Sequence, residues 1–168
     1  MPYSDLIRVT VLLTGAEATA LAAIAATSAS RSDTTTLAIA AAWWLIAFVV
    51  GFYLGRPGRA ADALRDTLAR ARTATSLPSE APARIAFGRL WPIGLTAVAA
   101  GGLGIFFPGV AAVGAGYALL VSLAWHTREA AVLAIEQRDG VKFYVVPNSA
   151  FRPIQLVRTP GLRSEPLR

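Results

Sequence analysis

The stretch LAIAAAWWLIAFVVGFYL, residues Leu37–Leu54, runs for eighteen residues without a charged side chain. At about 1.5 Å per helical residue it reaches about 27 Å, close to the ~30 Å hydrocarbon core of a bilayer. In that solvent an isolated segment can satisfy its backbone polar groups only as a helix. Gly55-Arg56-Pro57-Gly58 follows at once, a breaker and a charge that together mark where the apolar phase ends.

Outward from this span the chain repeats the same kind of block. On the N-terminal side, Ser28 to Thr36 is a short polar loop in which Arg31 and Asp33 cancel, and Leu6 to Ala26 is a further span interrupted only by Arg8 and Glu17. Arg8 and the small residues near Ser28 resemble a signal peptide and its cleavage site, but Glu17 breaks the apolar run such a peptide requires. On the other side, two blocks at 90–107 and 109–125 are separated by Pro108-Gly109. Trp91 suits a membrane interface and Pro92 a first helical turn. Both blocks are at the short end of what crosses a bilayer, so a re-entrant hairpin competes with two full crossings.

Composition agrees with this reading. The chain of 168 residues is 55% apolar and 15% charged, above and below the respective norms of water-soluble domains. It carries a net charge of +6, and its pI is about 10.7. The basic residues flank apolar blocks, so anionic lipid rather than nucleic acid is the expected partner. The absence of cysteine removes disulfides, thiolate metal sites and cysteine nucleophiles. The one histidine, His126, cannot assemble a zinc or haem site without ligands from other chains, and no cofactor is expected.

The largest polar segment, residues 56–89, holds seven arginines. Within it Ala61, Leu64, Leu68 and Ala71 recur at helical spacing, and Asp66 and Arg70 are placed for an i,i+4 pair. A short amphipathic helix from Arg59 to about Thr75 follows, lying on the membrane surface or packed on its own protein. Leu77-Pro78 ends it, with a linker to Pro82. After Trp125, residues 132–138 and 141–146 flank Asp139-Gly140, a dipeptide suited to a type I′ turn. A small β-hairpin is expected there, in competition with a helix through Glu136 that Ala130-Ala131 would allow. Phe151 to Val157 offers a further extended piece, and Thr159-Pro160-Gly161 leads to a basic tail.

Seven basic residues lie after Trp125 and seven in the 56–89 segment, against one at 28–36 and none at Pro108-Gly109. Four crossings sort these groups with both termini and the middle loop in the cytoplasm. The expected fold is an all-α integral membrane protein, a four-transmembrane-helix bundle over residues 1–125. It carries a short amphipathic helix in the middle loop and a small cytoplasmic β-hairpin in 126–168. The wealth of alanine and arginine is compatible with a bacterial protein from a high-GC genome, and a bacterial cytoplasmic membrane is the expected location.

Glu17 is the residue that asks for chemistry, because an ionised carboxylate near the middle of a span costs a few kcal/mol or more. Trp43, Trp44 and Tyr117, with Thr10, Thr14 and Thr19 on its own helix, are the available donors. An intramembrane polar cluster of Glu17, Trp43, Trp44 and Tyr117 is therefore expected. It serves either as an ion, proton or substrate site or as a hydrogen-bonded packing and subunit-contact site. Arg56, Arg59, Arg65, Arg72, Arg84, Arg89, Arg152 and Arg158 are the candidate contacts to lipid head groups or partner proteins. Small residues at three- and four-residue spacing (Ala18, Ala22 and Ala26; Ala97, Gly101 and Gly104; Ala112 and Gly116) permit close helix approach. Gly101-Gly102-x-Gly104 lies inside an apolar span and lacks the strand and lysine of a nucleotide loop.

No paired carboxylates, activated nucleophile or metal spacing emerges. The leading expectation is a non-enzymatic accessory, assembly or structural subunit of a larger membrane complex, docking through its cytoplasmic tail. The alternative is a small oligomeric transporter or channel working through Glu17, and a lipid- or quinone-directed enzyme ranks third.

Overall fold

The computed structural model describes residues 1–29, 34–73 and 81–160. Among them, four helices are long and apolar enough to cross a membrane, and the chain is a multi-pass membrane protein. Helix α1 spans Tyr3–Ala29, α2 Thr34–Leu54, α4 Pro82–Phe106 and α5 Pro108–Trp125. The shorter helices α3, Pro57–Ala69, and α6, Arg128–Asp139, lie at one end with strands β1, Arg72–Thr73, β2, Val141–Val145, and β3, Leu156–Pro160. The loop at 30–33, the Leu77-Pro78 stop with the start of the following linker, and the basic tail from Gly161 lie outside the described residues.

In the membrane layer α1 and α5 form the central pair, with α4 against both and α2 against the far side of α5. The α1–α5 contact is marked by Ser122 Oγ, which donates to the Val11 carbonyl at 3.3 Å. Along α2 and just past its end, the small residues Ala47, Gly51 and Gly55 are four apart and buried. A Cβ at Gly51 would meet the Leu120 carbonyl at 2.9 Å, and one at Gly55 would fall on the Leu123 carbonyl. These positions must be small for the two backbones to touch. The bulky residues Leu45, Ile46, Phe48, Val49 and Phe52 of α2 face outward, as lipid-facing side chains should.

Helix α4 is longer than its apolar block, because it starts at Pro82 rather than near Leu90. Pro82 takes the first-turn place that the sequence suggested for Pro92, and Pro92 lies inside the helix. A proline there removes one i→i−4 bond. With 25 residues, α4 reaches about 37 Å, ample for a full crossing. Its turn into α5 consists of Phe107 alone, with Pro108 opening α5.

The C-terminal region departs from the expected hairpin. Residues 132–138, the anticipated first strand, belong to α6. Gly140 supplies its positive φ (62°) as the left-handed residue that ends this helix, its N–H donating to the Glu136 carbonyl. A hairpin turn and a helix stop both call for glycine at positive φ. The helix prevails because Ala130, Ala131, Leu133 and Ala134 favour it and because it buries Val132 completely. Strand β2 pairs antiparallel with β3 instead, from Val141 opposite Pro160 to Val145 opposite Leu156.

The other edge of β3 takes β1 in parallel, Arg72 opposite Val157 and Thr73 opposite Arg158. On the free edge of β2 the N-terminus adds a short continuation: Pro2 bridges Tyr144, and the Val145 N–H donates to the Met1 carbonyl at 3.0 Å. The N-terminus, the middle loop and the C-terminal segment therefore meet at one end of the bundle. They enclose a water-side core of Tyr3, Leu6, Ile7, Leu64, Leu68, Ile85, Val132, Phe143, Val145 and Leu156. The amphipathic helix α3 lends Ala60, Leu64 and Leu68 to its own protein. It ends at Ala69, before the expected Thr75, because the chain turns there into β1. Its ion pair joins Asp62 to Arg65 at 3.2 Å.

Candidate functional site

Glu17 lies on α1 and is half-buried in the angle between α4 and α5. It lines a cavity of about 320 Å³ with Thr14, Ile93, Thr96, Ala100, Gly114 and Tyr117. By helical rise Thr96 is about 8 Å below Trp91 and Tyr117 about 12 Å below Trp125. Trp125 and Tyr53 stand at the polar-domain ends of α5 and α2, and Trp91, nine residues into α4, meets Phe151 of the C-terminal segment, so the three mark an aromatic belt. Glu17 therefore sits well inside the apolar layer.

The donors near it are arranged differently from the expectation. The two indoles of α2 serve the backbone of α5: Trp44 Nε1 donates to the Ala112 carbonyl at 2.8 Å and Trp43 Nε1 to the Val113 carbonyl at 3.3 Å. Gly116 makes room for this, since a Cβ at that position would overlap the Trp43 ring. The threonines of α1 spend their protons on their own helix, Thr10 on Leu6, Thr14 on Thr10 and Thr19 on Gly15. Tyr117 alone of the expected aromatic partners borders the Glu17 cavity. Its ring meets Trp43 edge-on at 5.2 Å, so Trp43 touches the site at one remove. Trp44 lines a separate apolar hollow with Ala18, Ala22 and Ala115.

Thr96 of α4, which sequence reading did not single out, lines the same cavity as Glu17. The Thr96 hydroxyl proton is directed to the Ile93 carbonyl at 2.8 Å. The signal in the sequence was thin, a lone threonine in an apolar block.

The candidate arginines divide by what they touch. Arg56 and Arg59 gather on Tyr53, with guanidinium carbons 5.0 and 4.2 Å from the ring centre. Arg65 pairs with Asp62. Arg72 and Arg158 lie on adjacent strands, and both are exposed, as is Arg84 near the start of α4. Arg89 is an internal tie: one terminal nitrogen donates to Asn148 Oδ1 at 2.5 Å and to the carbonyls of Ser149 and Arg152 at 3.0 Å. It holds the β2–β3 connection against α4, where Phe151 also meets Trp91 edge-on at 5.9 Å. Arg152 contributes to this tie through its backbone.

Among the described residues no group of three histidine, aspartate or glutamate side chains is placed to hold a metal. Comparison with protein-family models, curated proteins and solved structures finds no match to this chain.

Proposed function

We propose that the chain is a non-enzymatic accessory or structural subunit of a larger membrane assembly, placed in a bacterial cytoplasmic membrane with both termini and the 55–89 loop in the cytoplasm. The Glu17 groove carries this reading. An acidic side chain in the apolar layer costs about 3 kcal/mol when left to lipid, and here it is only half-covered, in a groove lined by Thr14, Thr96 and Tyr117. A transmembrane helix of another subunit, bringing an amide, hydroxyl or basic group opposite Glu17, completes the coordination of the carboxyl and closes the groove.

The clustering of arginines at the polar end supports the cytoplasmic assignment of that end. The strands of the C-terminal segment are engaged with the chain's own N-terminus and middle loop, so docking to partners falls on the outward residues Arg65, Arg72, Arg84 and Arg158. Extraction in a mild detergent followed by mass determination tests the reading. The expected particle is larger than one chain and contains a second transmembrane protein or a second copy, photo-crosslinked from position 96 or 117. A monodisperse monomer with nothing co-purifying overturns it.

A second reading is favoured by the oxygen-bearing side chains around the cavity, Thr14, Thr96 and Tyr117 beside Glu17. It makes the chain a small oligomeric transporter or channel with Glu17 as the proton, cation or substrate site. Reconstituted flux that persists in Glu17→Gln, or a wild-type protein without flux, removes this reading.

A further inference from the structure

A second cavity, of about 440 Å³, opens at the level of the aromatic belt on the polar side of the bundle. Its floor is apolar, built from Leu54 at the end of α2 and Leu120, Val121 and Ala124 of α5. Its upper wall carries Arg59 and Asp62 of α3 and Arg128, the first residue of α6. Hydrocarbon below and guanidinium above is the polarity profile of a phospholipid.

Each arginine is held in place by an aromatic group at the interface. Arg59 lies 4.2 Å from the centre of the Tyr53 ring, and its terminal nitrogen donates to the Tyr53 hydroxyl at 2.9 Å. Arg128 lies over Trp125 at 4.3 Å. Such stacking fixes the plane of a guanidinium while leaving its edge free to form paired hydrogen bonds. The Nε of Arg128 is buried and without a hydrogen-bond partner, a condition that usually has a specific cause. Both helices present their N-terminal turns here with no side-chain cap, so their unpaired N–H groups and dipoles add to the positive field. Asp62 is the one acid on the wall, and it is paired with Arg65.

We infer that this cavity is a specific site for an anionic glycerophospholipid. The phosphate is bound between the guanidinium groups of Arg59 and Arg128, and an acyl chain lies along Leu54, Leu120 and Val121. Asp62 accepts from a hydroxyl of the head group, which favours glycerol-type head groups over choline. The site does not depend on the subunit or transporter reading, since it uses neither Glu17 nor a partner chain.

Native mass spectrometry of the full chain, titrated with phosphatidylglycerol, phosphatidylcholine or inorganic phosphate, tests the inference. Wild-type protein should retain one phosphatidylglycerol at concentrations where phosphatidylcholine is lost. Arg59→Gln, at an exposed position, should weaken that binding several-fold, and Arg59→Gln with Arg128→Gln about tenfold or more. Arg84→Gln, remote from the cavity, should leave it unchanged. Arg128→Lys keeps the charge but loses the planar guanidinium, and should bind more weakly than wild type because the fork is what reads the phosphate. Equal retention of the two lipids overturns the inference. So does unaltered binding in a correctly folded Arg59→Gln protein, or inorganic phosphate binding as tightly as the lipid.

Discussion

At the polar end Ile7, Leu64, Val132 and Val145 interlock as whole aliphatic side chains, each almost fully buried. Between α2 and α5 the backbones approach at Gly51 and Gly55, and Gly116 leaves room for the Trp43 ring. Small residues set the contact there, and two indoles hydrogen-bond across it. The alternative environment explains the difference. Where the unfolded group would meet water, removing it from contact with water stabilises the fold by about 1.5–3 kcal/mol per large aliphatic residue. Where it would meet lipid, moving an apolar side chain from hydrocarbon to protein gains little. Close backbone approach and polar contacts across the interface do the holding there. One chain thus follows two packing rules, with the boundary near Tyr53, Trp91 and Trp125.

The largest effect should come from cutting into the water-side core. Leu64→Ala is expected to destabilise the polar end by about 2–5 kcal/mol, read as faster hydrogen exchange at the β2 amides 141–145 in lipid nanodiscs. The same truncation at lipid-facing Leu45 should change stability by less than about 0.5 kcal/mol. Equal effects at the two leucines would break the comparison.

On the lipid side, bulk rather than its loss is the damaging change. Gly116→Leu places a side chain where the Trp43 ring lies and should cost about 1–3 kcal/mol of α2–α5 association, seen as a lower melting temperature and altered near-ultraviolet tryptophan dichroism. Gly140→Ala tests the helix stop on the water side alone. Its positive φ makes a cost of about 1–2 kcal/mol the expectation, with hydrogen exchange rising in α6 and β2 and unchanged in α2. Smallest should be Trp44→Phe, which removes the indole bond to the Ala112 carbonyl. Interhelical bonds in membranes average about 0.6 kcal/mol, so the melting temperature should fall only slightly.

The four long helices were legible because lipid forces apolar runs into one structure, and their lengths follow from bilayer thickness. The Ala47-Gly51-Gly55 seam had a readable spacing but stood among bulky neighbours, Trp43, Trp44 and Phe48, that drew the eye. Asp139-Gly140 was read as a hairpin turn because local chemistry is the same for both outcomes. The choice was made by Val132, whose burial against Ile7 and Val145 depends on segments more than a hundred residues apart. For the same reason the two-residue strand Arg72-Thr73 and the Arg89 tie to residues 148–152 could not be read locally. At the candidate site the acid was evident from one residue, while its neighbour Thr96 depended on how α4 turns against α1.

The bond from Val145 to the Met1 carbonyl and the bridge from Pro2 to Tyr144 set an order of events during biosynthesis. Met1 and Pro2 find their sheet partners only after the four long helices and α6 have been made. Insertion of the helices thus precedes closure of the polar end, and Ile7 and Leu64 wait uncovered until β2 and β3 arrive. A chain stalled before residue 141 would present its translocation machinery with inserted helices and an open, adhesive cap, a state that invites quality control.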